Sequence, residues 1–427
     1  MKTRALLGYA ACWCALTAPS WAADWPQWRG PERTDISKET GLLKSWPEGG
    51  PKLLWKYEDA GIGYSGPAIV GDRLYTMGAR EDKEYVYALD VKTGKEVWST
   101  EIGPLFNDRA QYGPGPRGTP TVDGSVLYTL SGQGNLACVD SAAGKKQWLK
   151  NLVNDLGGRI PGWGYSESPL IDGDKVVCSP GGGEGTIAAL DKKTGEKIWQ
   201  SKDLTDPMGY SSIIIAEVGG VRQYIQKTMK GLAGVAADDG RLLWHFLQPS
   251  YRVAVIPTPV FHDNYVYATA GYGAGCNLLK LSPDGPNGTK EEEVYANKNM
   301  DNKHGGVVLV DGYIYGWTDH GNAWICQDFK TGKVVWESKK LGRGSITCAD
   351  GLLYCYGERD GTCVLIEASP EGWKEKGRFT IPEQSPYRSP NGGVWTHPVV
   401  ANGRLYLRDQ NLLFCYDVSG ARSQVKR

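Results

Sequence analysis

Ala88-Leu89-Asp90-Val91-Lys92-Thr93-Gly94-Lys95-Glu96-Val97-Trp98 is the stretch whose reading decides the fold. An apolar run ends in an aspartate, a Thr-Gly pair makes a tight turn, and a second short run closes on a large aromatic, which reads as a β-hairpin. The pattern returns at Ala189–Trp199 with every marked position kept, and at Cys326–Trp336 with Cys in place of Ala. Weaker copies end at Trp148 and Trp244. A recurrence of this size is the mark of a repeat architecture, so the whole fold has to be built from the repeat.

A second recurring piece precedes each hairpin: an apolar residue, a turn usually built on Gly, Asp or Asn, and a strand of Leu, Val or Ile, usually with Tyr. Its copies begin at Val70, Val122, Ile171, Val218, Phe261, Val310, Ala349 and Ala401. Two hairpins in succession make four antiparallel strands. Eight such units of roughly 40–50 residues predict an all-β, eight-bladed propeller of four-stranded antiparallel blades around a central channel. Trp55, Trp98, Trp148, Trp199, Trp244, Tyr295, Trp336 and Phe379 supply one large aromatic per blade on the outer strand. The last unit ends after Cys415-Tyr416-Asp417 with three strands, while Lys52-Leu53-Leu54-Trp55 is an outer strand with no hairpin before it. Pairing the two closes the last blade with an N-terminal strand and removes two open sheet edges.

Met1 to Ala22 carries Lys2 and Arg4, an apolar run from Ala5 to Ala18, and Ser20-Trp21-Ala22 before Ala23-Asp24, the order of a secretory leader. Cleavage is expected after Ala22, giving a periplasmic or secreted protein. The apolar run is too short for a membrane helix and no later stretch is long enough, so no transmembrane segment is expected. The expected division is a signal peptide over 1–22, an N-terminal arm over 23–51, the propeller over 52–418 and a tail over 419–427. The arm opens with Trp25-Pro26-Gln27-Trp28-Arg29-Gly30-Pro31. It reads as an ordered segment without regular structure, its tryptophans packed on the outside of the ring.

Losing the leader takes Lys2 and Arg4 from 48 basic residues and leaves all 48 acidic ones, a net charge near −2. That balance gives no attraction to nucleic acid or to an anionic membrane surface. Eight cysteines follow the leader. Cys138, Cys326 and Cys415 align with Ala88 and Ala189, small inward positions, and are expected to be buried free thiols. Cys348, Cys355 and Cys363 fall close together, where one local disulfide is open. No Cys-x-x-Cys or His-x-x-x-His spacing occurs, which argues against zinc.

The hairpin pattern Ala-x-Asp-x-x-Thr-Gly-x-x-x-Trp, intact at Ala88–Trp98 and Ala189–Trp199, resembles the quinoprotein-type repeat. That repeat is shared by pyrroloquinoline quinone (PQQ) dehydrogenases and by the PQQ-like propeller lipoprotein of the outer-membrane barrel assembly machinery. The resemblance runs from Lys52 to Asp417. It implies the fold but not a chemistry, because members with and without the cofactor share these residues.

In such a ring the loops leading into each innermost strand gather on one face around the channel. Read in order they carry Tyr64, Tyr112 with Arg117, Trp163 with Tyr165 and Glu167, Tyr210, Tyr251 with Arg252, Lys303 with His304, Arg343, and Tyr387-Arg388 with Trp395 and His397. The candidate binding residues are Tyr112, Arg117, Trp163, Tyr165, Glu167, Tyr251, Arg252, His304, Arg343, Arg388, Trp395 and His397. A basic, aromatic mouth suits a planar anion, a sugar acid or a peptide strand. As loop residues, Glu167 and Arg343 are expected to be replaceable with little loss of stability.

PQQ would demand cations for its carboxylates and flat surfaces for its faces, and by residue type Arg117, Arg252, Arg343 and Arg388 suit the first and Trp163 or Trp395 the second. Glu167 and Asn302 would hold calcium, and Asp301 or Asp319 would serve as base. The adjacent Cys-Cys pair of many PQQ alcohol dehydrogenases and a haem-attaching Cys-x-x-Cys-His are both absent. No Gly-x-Ser-x-Gly elbow appears in a strand-turn-helix setting, and Gly181–Gly185 joins two strands rather than opening a helix. The aspartates of the repeat, Asp90, Asp140, Asp191, Asp328 and Asp417, read as turn carboxylates. The sequence therefore reads as a non-catalytic exported propeller with no catalytic or metal-binding residue and no cofactor. Its mouth would face a protein or an envelope polymer. The alternative is a PQQ- and calcium-dependent alcohol or sugar dehydrogenase.

Overall fold

The computed structural model describes residues 24–107 and 112–420. The expected leader over 1–22 and residues 421–427 of the expected tail lie outside them. Among the described residues every regular element is a strand, and no helix is long and apolar enough to cross a membrane.

The strands form eight antiparallel four-stranded blades. Blade 1 spans 68–104, blade 2 121–151, blade 3 170–200, blade 4 214–247, blade 5 260–297, blade 6 307–338 and blade 7 344–380. Blade 8 takes three strands from 399–417 and its fourth from Lys52–Tyr57, which pairs antiparallel with Leu412–Asp417. Trp55 stands opposite Cys415 in that register, as Trp98 stands opposite Ala88 in blade 1. The N-terminal strand thus closes the ring.

Each seam between adjacent blades carries its own apolar cluster. Leu136 and Cys138 of blade 2 meet Val176 and Leu190 of blade 3, while Tyr75 and Met77 of blade 1 meet Leu127 and Val139 of blade 2. Middle strands are therefore buried on both faces, and Gly231–Ala236 has no exposed residue. This is why strict alternation fades there.

The repeat stretch makes the seam specific. Asp90 Oδ1 accepts from the Thr93 amide and hydroxyl, both at 2.8 Å, which shapes the turn as expected for a turn carboxylate. The Trp55 indole of blade 8 donates to the Val91 carbonyl of blade 1 at 2.8 Å, and the Trp148 indole of blade 2 donates to Lys192 of blade 3 at 3.0 Å. Gly94 sits at φ 70° beneath the Trp55 ring, where a Cβ would lie 2.6 Å from the indole. Only glycine meets both conditions. Trp55, Trp98 and Trp148 are thereby docked on the turn of the next blade, so a local hairpin motif also encodes the long-range contact.

The eight described cysteines are free and buried. Burial pushes the Cys138 and Cys326 thiols up to about 11 and that of Cys415 to about 12. The local disulfide left open in blade 7 does not form. Cys363 packs in the seam toward blade 8, whereas Cys348 and Cys355 face blade 6. Cys355 pairs with Ile346 and Cys348 with Leu353, so those two are diagonal neighbours. Diagonal Cβ atoms lie roughly 7–8 Å apart, beyond the roughly 3.8 Å of a disulfide.

The arm departs from its expected place. Instead of lying outside without regular structure, it runs through the channel and contributes a short strand, Ile36–Ser37, parallel to Gly344–Ala349 of blade 7. Trp25 is buried and bridges Ile69 of blade 1, and Pro26 accepts from the Val122 amide of blade 2. Arg33 donates to Ser168, Pro169 and Ile213 of blades 3 and 4, and Arg29 to Thr258 and Val307 of blades 5 and 6. Glu39 accepts from the Asn402 and Gly403 amides of blade 8. The innermost strands present carbonyls to the channel that water or a donor must satisfy. The two arginines of the arm meet that need.

Candidate functional site

Where the arm passes beneath the lead-in loops, the channel ends in a cavity of about 400 Å³. Trp28 forms part of its floor: the indole donates to Thr258 Oγ1 at 2.9 Å, and its ring lies 4.6 Å from that of His397. His397 is fixed from below, with Nδ1 2.9 Å from Asp35 Oδ2, which is also 3.1 Å from Arg29 Nε. Ser168 and Ser212 also line the cavity and are joined by the Ser168 amide donating to Ser212 Oγ at 3.0 Å.

The walls are aromatic. Tyr64 and Trp395 stack at 4.9 Å, Trp163 lies 5.0 Å from Tyr210, and Tyr112 meets Trp163 edge-on at 5.5 Å. These rings stand on the loops leading into blades 1, 8, 3, 4 and 2. Arg117 is held by the carbonyls of Trp163 and Gly113 and lies over the Tyr64 ring at 4.9 Å. On the other side His304 Nε2 is 2.8 Å from Glu358 Oε2, which also accepts from the Trp395 indole at 3.0 Å. Arg343 ties this group together, 3.2 Å from Glu358 and 2.9 Å from Asp319. Burial lowers the His304 pKa, which Glu358 only partly offsets. Burial pushes Glu358 the other way, but His304 and Arg343 hold it below the usual carboxylate range.

The structure brings Tyr112, Arg117, Trp163, His304, Arg343, Trp395 and His397 together around this cavity. The remaining sequence candidates lie elsewhere. Tyr165 is buried between blades 2 and 3 and donates to the Pro180 carbonyl; Tyr251 is buried beneath Lys227. Arg252 is exposed and donates to Pro249, and Arg388 is paired with Asp409. Glu167 is fully buried, with Oε1 accepting from the Ser179 amide at 2.5 Å. Packing, not spacing along the loop, sorts these side chains: Trp163 lines the cavity, while Tyr165 and Glu167 on the same loop are fully buried. Tyr64, Tyr210 and Lys303, read on the same loops, also line the cavity.

Sequence reasoning missed Trp28, Tyr272, Glu358 and Arg359. The last three sit on turns between middle strands of blades 5 and 7, which the repeat locates but does not rank. Trp28 had no repeat partner to mark it.

The residues named for calcium and for a base do not fit that role. Asn302 spends its amide on Gly306 and Trp317, Asp301 accepts from the Gly273 and Gly275 amides, and Asp319 is neutralised by Arg343. Glu167 Oε1 is taken by the Ser179 amide. Among the described residues no three His, Cys, Asp or Glu side chains gather to hold a metal ion.

Burial also overturns the expectation that Glu167 is replaceable. It raises the Glu167 carboxyl from about 4.5 to about 7, with the Ser179 amide and Arg33 opposing. Glu84, which accepts from the Phe106 and Gly132 amides, is likewise raised to about 7. A carboxyl raised by folding favours the folded state while protonated. Its contribution is complete below the unfolded value and is lost as pH rises through about 7. The urea midpoint is therefore expected to fall between pH 5 and pH 8, and Glu167→Gln with Glu84→Gln should flatten that fall. An unchanged slope in the double variant would contradict the assignment.

The fold and the site define an eight-bladed propeller whose channel is floored by its own N-terminal arm and opens into an aromatic, cation-bearing cavity. Residues 82–338 match the family model described as outer membrane protein assembly factor BamB, and the chain belongs to this PQQ-like propeller family. It is 23% identical over 255 residues to the outer membrane protein assembly factor BamB of Moranella endobia, covering 56% of this chain and 57% of that protein. It is also 29% identical over 160 residues to a lanthanide-dependent methanol dehydrogenase of Methylacidiphilum fumariolicum, covering 35% of this chain and 25% of that one. The chain thus spans from a quarter to just over half of the length of these curated relatives. The crystal structure of BamB from Moraxella catarrhalis superposes with a TM-score of 0.59 at 15% identity, covering 86% of this chain and 99% of that one. That likeness concerns the fold alone.

Proposed function

We propose that this chain is a non-catalytic propeller of the cell envelope, exported by its leader over 1–22, that binds a protein or an envelope polymer at its channel mouth. The observation that carries this reading is the engagement of the mouth's acidic groups. Glu358, Asp319 and Asp301 are each committed to a neighbouring cation or to backbone amides, so among the described residues none of these three is left free as a general base. The match to the assembly factor model supports the same reading, since that description names a protein that works on other envelope proteins.

The second reading, a PQQ- and calcium-dependent dehydrogenase, has a specific motive in the methanol dehydrogenase relative and in the flat aromatic walls. The two readings part on cofactor dependence. With PQQ and calcium added, the platform shows no dye-linked alcohol or sugar oxidation and no rise in melting temperature. A dehydrogenase gains both, because a bound cofactor stabilises by mass action. Oxidation that needs both additions would overturn the platform.

A further inference from the structure

We propose that the mouth cavity binds the terminal residue of an acidic saccharide, a pyranose carrying a carboxylate, without a metal ion. This rests on the binding reading above and names the class of ligand.

Three features of the cavity ask for three features of the ligand. The first is flat apolar surface. Tyr64 with Trp395, and Trp163 with Tyr210, present rings from different sides of the channel, blades 8 and 1 against blades 3 and 4. A pyranose offers an apolar patch of ring C–H groups that stacks on such rings.

The second is hydroxyl groups at the floor. Ser168 Oγ accepts from the Thr119 amide at 2.8 Å, Ser212 Oγ from Ser168, and Thr258 Oγ1 from the Trp28 indole. A hydroxyl that accepts one hydrogen bond keeps its own O–H and a second lone pair. These suit a polyhydroxylated ligand, and an aromatic acid would leave them without partners at a cost.

The third is charge. Among the described residues, Arg117, Lys303, Arg343 and Arg359 line the cavity with one carboxylate, Glu358, which Arg343 and His304 already hold. Lys303 lies 4.7 Å over the exposed Tyr272 ring at the opening, and neither it nor Arg359 forms an ion pair with a described residue. A neutral sugar would make no use of the charges of Lys303 and Arg359, whereas a carboxylate gains charge-assisted hydrogen bonds from them.

The arm decides how the ligand enters. With Trp28 and His397 across the floor the cavity is blind, and its volume lies near the small end of ligand pockets, roughly 300–1,000 Å³. It takes an end, while the rest of a polymer leaves through the mouth.

Calorimetric titration of the full chain with trigalacturonate in EDTA, against neutral galactotriose, tests this. Trigalacturonate is expected to bind at least about ten-fold tighter than galactotriose, the scale of one charge-assisted hydrogen bond. Lys303→Ala/Arg359→Ala should abolish most of that difference with an unchanged melting curve, since both residues sit at the rim. Trp163→Ala should weaken both ligands. Equal affinity for the two sugars, no binding of trigalacturonate, a calcium requirement, or preference for naphthalene dicarboxylate would each overturn the ligand class while leaving the binding platform standing. Only oxidation with PQQ and calcium would overturn the platform as well.

Discussion

A chain beginning at Glu58 is expected to lose cooperative unfolding and to aggregate near room temperature. Two separate losses drive this. Without Lys52–Tyr57 the strand Leu412–Asp417 becomes an open edge, and the turn after Asp90 loses the Trp55 ring docked upon it. Without the arm, the carbonyls of Ser168, Pro169, Ile213, Thr258 and Val307 lose their arginine donors. Each buried carbonyl left unpaired costs about 1–3 kcal/mol, against a total stability of about 5–15 kcal/mol for a domain. Water entering the emptied channel offsets part of the second loss, so a chain beginning at Pro51 should fall between the two. Scanning calorimetry with light scattering measures this. A chain from Glu58 that melts as sharply and as high as the parent would refute the closure.

Arg408→Met is expected to lower stability by about 3–5 kcal/mol, the scale for breaking a buried charged network. Arg408 is 1% exposed and stitches blade 8 to blade 1. Its guanidinium donates to Gln410 within blade 8 and across the seam to Ser65, Thr76, Met77, Ala60 and Gly61, at 2.6–3.1 Å. Methionine fills the space but leaves those acceptors facing an apolar group. Arg408→Lys should recover little, because an ammonium carries three donors at one point where the site needs a planar fork. Urea unfolding decides it: a midpoint within about 0.5 kcal/mol of the parent would show that the seam does not depend on this residue.

Arg408 also shows where sequence reading stops. In Leu405-Tyr406-Leu407-Arg408-Asp409 the alternation places a strand, yet nothing local says that a charged side chain there is buried. The acceptors it satisfies come from the other end of the chain. Arg29 and Arg33 are alike: each meets carbonyls of distant blades, so the arm read as an outer segment. Glu167 and Trp163 stand on one lead-in loop, and only packing sends one to the seam and the other to the cavity. Tyr64, Tyr112, Arg117, Tyr210 and Trp395 were legible because a propeller puts every lead-in loop on one face.

By itself the sequence determined the blade, the number of blades and the strand that closes them. Those features are written in local turn chemistry, Asp-x-x-Thr-Gly followed by an aromatic, and in a count of its copies. The tertiary structure alone decided that the channel is floored by the arm, which thiols share a seam, and which loop side chains share a cavity. Each of these depends on satisfying backbone carbonyls and filling space between segments far apart in the chain, and no pattern of neighbouring residues records such pairings.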